Sequence, residues 1–147
     1  EVHGPGYSKV VIGPHVADEW EQYIEVIAES ISNNGGRSCV NASGVWVTKH
    51  GDQIADTLAR RLARVIPRAA DDAEAVLAPF ADPDTARRIS SMIDADMTGD
   101  SGTARDASAA VRDANRVASA HGGNYLLPTI VRCDAAHPLA NREFLFP

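Results

Sequence analysis

The sequence predicts an α/β fold, a mainly parallel sheet flanked by helices. Three observations carry that expectation. Short β-branched runs recur at 8–13 (SKVVIG) and 44–48 (GVWVT). The stretches between strands repeat apolar residues at the spacing of an amphipathic helix. Breaks rich in Gly, Pro and Asn separate the two kinds of segment.

The elements follow in order. The run at 8–13 reads as a buried strand. Asp18 is placed to cap a helix reaching about Asn33, with Trp20, Tyr23, Ile24, Ile27, Ala28 and Ile31 on one face. Asn34-Gly35-Gly36 stops it, because Asn and Gly accept the left-handed conformation at a helix end. The second strand follows at 44–48. Gly51-Asp52 opens a second helix to about Ile66, with Ile54, Leu58, Leu62 and Ile66 inward, and Pro67 closes it. Arg60, Arg61 and Arg64 lie mostly off that stripe and read as a solvated face. A short helix is expected over 71–77. Asp82-Pro83 starts another, which carries Ala86, Ile89, Met92 and Ile93 inward. A polar loop covers 98–103. An Ala-rich helix is expected over 106–120, ended by Gly122-Gly123. The stretch 125–132 reads as a strand that Pro128 confines to an edge or a bulge.

The 147 residues suffice for one domain with a real core. The apolar fraction is 44% and the charged fraction 23%, ordinary for a globular chain. A formal charge of −6 and only 5% aromatic residues argue against a nucleic-acid partner, which needs clustered Lys and Arg or stacking platforms. No apolar run approaches the roughly 20 residues that span a bilayer, and no leader pattern is seen, so no membrane partner is expected. Cys39 and Cys133 make no disulfide framework and read as thiols of a reducing compartment, the cytoplasm. His3, His15, His50, His121 and His137 are scattered, so no metal site is expected. Asp94, Asp96 and Asp100 lack the remaining ligands of a calcium loop. The glycosylation pattern Asn41-Ala42-Ser43 reads as a chance match, and Gly4-Pro5-Gly6 precedes a strand instead of following one as a phosphate loop does. Both ends look cut from a longer polypeptide, since the chain begins Glu1-Val2-His3 and ends on the apolar run Phe144-Leu145-Phe146-Pro147.

The chemistry centres on Cys39. It follows a helix stop, lies in a loop of small residues, and precedes a strand. Such a loop holds a side chain firmly while leaving it reachable. Backbone amides freed by Gly35, Gly36 and Ser38 would lower a thiol pKa or bind an oxyanion, and Arg37 would add positive charge. The other reading, from the residues alone, is a buried inert thiol.

Four stretches in order resemble the aldehyde dehydrogenase superfamily and span nearly the whole chain. Asn34-Gly35-Gly36-Arg37-Ser38-Cys39 resembles its active-site signature Asn-x-Gly-Gln-x-Cys. The stretch from His3 through Ser8 to Ile12 resembles its Glu-Leu-Gly-Gly-Lys-Ser strand. The stretch from Tyr125 through Pro128-Thr129 to Val131 is similar to its Tyr-x-x-Pro-Thr strand. The segment from His137-Pro138-Leu139 to Glu143-Phe144 and Pro147 is similar to its His-Pro-Leu…Glu-x-Phe-Gly-Pro segment.

The resemblance implies one partial catalytic domain over 1–147, with most of the cofactor-binding portion, and one oxyanion-hole asparagine, outside it. It implies Cys39 as nucleophile toward a small-molecule aldehyde or acyl thioester, with hydride passing to NAD or NADP. Asn34, Gly36, Arg37 and Ser38 form the active-site loop, and the Cys39 amide supplies part of the oxyanion hole. Glu143 matches the glutamate that binds the nicotinamide ribose, and a homo-oligomer is expected of the full-length protein. The signature glutamine is Arg37, and Leu145-Phe146 stands for Phe-Gly. A gapless match puts His3 at the general-base glutamate, whereas Glu1 reaches it through a two-residue insertion. Loss of that glutamate would favour coenzyme A over water as acyl acceptor. A non-catalytic α/β interaction domain is the reading from a different class, motivated by Arg37 and Phe146.

Overall fold

The computed structural model describes residues 8–99, 103–113 and 115–144. The calls on Glu1, His3, Asp100 and Leu145 to Pro147 lie outside them.

The chain opens with a β–α–β unit. β1 (Ser8–Ile12) leads through a 3-10 segment (Ala17–Tyr23) into α1 (Ile24–Ser32), and β2 (Ala42–Val47) returns parallel to β1. Val10 pairs with Val45 and Ile12 with Val47, and all four turn to the same core as the apolar face of α1. Ile24, Ile27, Ala28 and Ile31 are buried there, as their spacing requires. Trp20 and Tyr23 pack against this core from the 3-10 segment rather than from a continuous helix.

α2 (Gly51–Leu62) adds Ile54, Leu58 and Leu62 to the core. It ends four residues earlier than the sequence suggests, and Ile66 is half exposed. Pro67 is the physical cause: it has no N–H for the residue-63 carbonyl, and its ring would strike that carbonyl in a continuing helix. The expected helix over 71–77 is absent. Asp72 instead accepts the Glu74 amide at 2.8 Å and the Arg68 guanidinium at 3.1 Å, a local turn that competes with helix.

α3 (Pro83–Thr98) begins as read, with Asp82 Oδ1 accepting the Asp84 amide at 3.0 Å and Pro83 at the first position. Ala86 and Ile93 are buried, but Met92 is exposed. At 100° per residue Met92 lies roughly 120° around the helix from Ala86, outside the stripe.

The Ala-rich helix expected over 106–120 does not form: Asp106 ends a strand, Ser108–Ala110 make a short 3-10 turn and Val117–Ala120 form a strand. β3 (Ala104–Asp106) pairs antiparallel with β6 (Val131–Cys133), and β4 (Val117–Ala120) pairs antiparallel with β5 (Gly123–Leu126). His121 (φ 48°) and Gly122 (φ 74°) form the two-residue link of the β4–β5 hairpin. Two successive positive φ values match the twist of a hairpin. Ala107 is buried with its amide on the Ile130 carbonyl, a tertiary contact that overrides the helix propensity of the Ala run. Asp106 takes Arg116 at 2.9 Å and Arg112 at 3.1 Å, and Arg116 reaches Asp94 on α3 at 3.0 Å. Pro128 falls between β5 and β6, where it interrupts no ladder.

The fold is therefore mixed α/β. Among the described residues, parallel pairing is confined to β1 and β2, and the other two strand pairs are antiparallel, so the mainly parallel sheet is corrected to this arrangement. The physical reason is the hairpin: a two-residue link only joins antiparallel strands.

Candidate functional site

The loop between α1 and β2 presents Cys39. Its path is set by backbone that few residues adopt. Asn34, Gly35 and Gly36 have φ of 54°, 65° and 69°, the left-handed region. Asn tolerates it and Gly has no Cβ to oppose it. Gly35 is doubly constrained, because a Cβ there would meet the Val76 carbonyl oxygen at 3.0 Å. The loop is thus pressed onto the chain at 76–78. Arg37 strengthens that contact. Its guanidinium donates to the Ala78 carbonyl at 2.8 Å and lies over the Phe80 ring at 4.5 Å. Arg37 therefore fastens the loop.

A β-turn spans residues 38–41. The Asn41 amide donates to the Ser38 carbonyl at 2.9 Å, leaving Cys39 and Val40 at the tip. Both are exposed. The Ser38 amide is taken by Asn41 Oδ1 at 2.9 Å, so it is not a donor for a ligand. The Cys39 carbonyl accepts the Ser8 hydroxyl at 3.0 Å, and Ser43 Oγ donates to the Ser8 carbonyl at 3.1 Å. These bonds bridge the register shift between Ser8 and Lys9, where the β1–β2 ladder is irregular.

Glu1 and His3, the two general-base candidates, lie outside the described residues. The strand they precede begins at Ser8, against the Cys39 backbone.

The segment carrying Glu143 reaches the same strand. His137 is fully buried and caps the 3-10 turn Pro138–Asn141, its Nδ1 accepting the Leu139 amide at 3.2 Å. Lys9 Nζ donates to the Ala140 carbonyl at 3.4 Å and lies 5.9 Å from the Trp46 ring centre. Arg142 pairs with Asp96 of α3 at 2.6 Å, a close contact without hydrogen-bond alignment, since Asp96 Oδ2 makes no hydrogen bond among the described residues. Glu143 is half-buried, with no hydrogen-bond or ion-pair partner among the described residues.

The second thiol differs. Cys133 is half-buried in β6, and burial pushes its thiol pKa up, the Asp134 charge adding to this and Arg132 opposing it. A cavity of about 550 Å³ is walled by β2, the start of α2 and the chain at 129–135. Cys133 is in its wall and Cys39 is not.

Sequence reasoning missed Asn41, whose side chain holds the turn, because its glycosylation pattern drew the only reading it received. An Asn side chain next to a strand start is a common turn former, because it hydrogen-bonds nearby backbone. Among the described residues, no three His, Cys, Asp or Glu side chains gather to hold a metal, and no helix is long and apolar enough to cross a membrane.

No protein-family model and no curated protein matches this chain.

Proposed function

We propose that the chain is the catalytic segment of an aldehyde dehydrogenase-like oxidoreductase, with Cys39 as nucleophile. The observation that supports this best is convergence on β1. Ser8 at its start bonds the Cys39 carbonyl, and Lys9 beside it bonds the turn that leads to Glu143. Three of the four family-like stretches thereby meet through two adjacent residues.

In this reading Cys39 Sγ adds to an aldehyde carbon, the carbonyl oxygen takes the thiol proton, and a thiohemiacetal results. The Cys39 amide, which has no acceptor among the described residues, is the donor for that oxygen. Glu143 has the carboxylate and the freedom to receive the hydroxyls of a ribose, which fits a nicotinamide cofactor. The chemistry that NAD or NADP supplies when bound is hydride acceptance, which leaves an acyl thioester to pass to water or coenzyme A.

Coenzyme A is the second reading for the acceptor, favoured by the gapless match that puts His3 where the family has glutamate.

The test is covalent. Incubation with propanal should slow iodoacetamide alkylation of Cys39 while leaving that of Cys133 unchanged. Equal effects on Cys39 and Cys133, or none on either, would refute the assignment and favour the interaction-domain reading. With the full-length protein, NAD(P)H oxidation that requires an acyl-CoA would move the acceptor from water to coenzyme A.

A further inference from the structure

We draw no further inference here: the strongest candidate, the cavity of about 550 Å³ between β2, the start of α2 and the chain at 129–135, carries nothing, because Arg132 in its wall is turned onto the Cys133 carbonyl at 2.7 Å and nothing in the structure shows what fills the space.

Discussion

The Ser8 hydroxyl donates to the Cys39 carbonyl at 3.0 Å, joining residues 31 positions apart. That bond ties the first strand to the turn before the second.

Removing the hydroxyl tests the tie. Ser8→Ala should cost about 0.5–1 kcal/mol in urea unfolding, the net worth of one hydrogen bond near the surface. It should also weaken propanal protection of Cys39 several-fold, because the 39–40 peptide is then held only by the turn. Unchanged protection would mean that the bond is incidental to the thiol.

The two cysteines should differ in reactivity. Cys39 is exposed at a turn tip, whereas Cys133 is half-buried with its thiol pKa pushed up by burial. At pH 7.5 iodoacetamide should modify Cys39 at least about tenfold faster, since thiolate fraction and access both set the rate. Peptide mass mapping of a time course reads this, and comparable rates would contradict the described burial of Cys133.

Gly35→Ala should be destabilising. The residue has φ +65° and a Cβ would lie 3.0 Å from the Val76 oxygen. The left-handed conformation alone costs a non-glycine residue roughly 1–2 kcal/mol, and the contact adds to it. Equilibrium unfolding should show about 1–3 kcal/mol lost. A neutral substitution would mean that the loop does not press on the chain at 76–78.

The Asp106 network sets an acid response. Burial opposes the Asp106 charge, but hydrogen bonds from Arg116 and Arg112 outweigh it and hold the carboxyl below its usual range. Above pH about 5 both folded and unfolded states are ionised and the full stabilisation is present. As pH falls through the unfolded value of about 3.9 the unfolded chain takes up the proton first, and the contribution is lost progressively until the folded carboxyl protonates too. Asp106→Asn should therefore cost about 3 kcal/mol near neutral pH, because it strips a buried guanidinium of its nearest carboxylate. The gap from the parent chain should narrow below pH about 4 in urea titrations. A gap independent of pH would assign the loss to packing.

Local signals made several features legible in the sequence. The α1 face of Ile24, Ile27, Ala28 and Ile31 is buried as its period requires, and Asp82-Pro83 starts α3 through the expected cap. Asn34-Gly35-Gly36 ends a helix in the left-handed region, which Asn and Gly alone adopt cheaply. These features depend on residues a few positions apart, so composition and spacing determine them. Tertiary structure decided the rest. The Ala-rich run at 106–120 broke into a strand end, a short 3-10 turn and a second strand because Asp106 meets Arg112 and Arg116, and Arg116 meets Asp94, only in the closed fold. Arg37 is taken up by Ala78 and Phe80, 41 and 43 positions away, and no local pattern assigns it that work. For Cys39 the sequence determined the loop and its place before a strand. Only the fold decided that Ser8 holds that loop through the Cys39 carbonyl, because a hydrogen bond over 31 positions exists only once the chain has closed on itself.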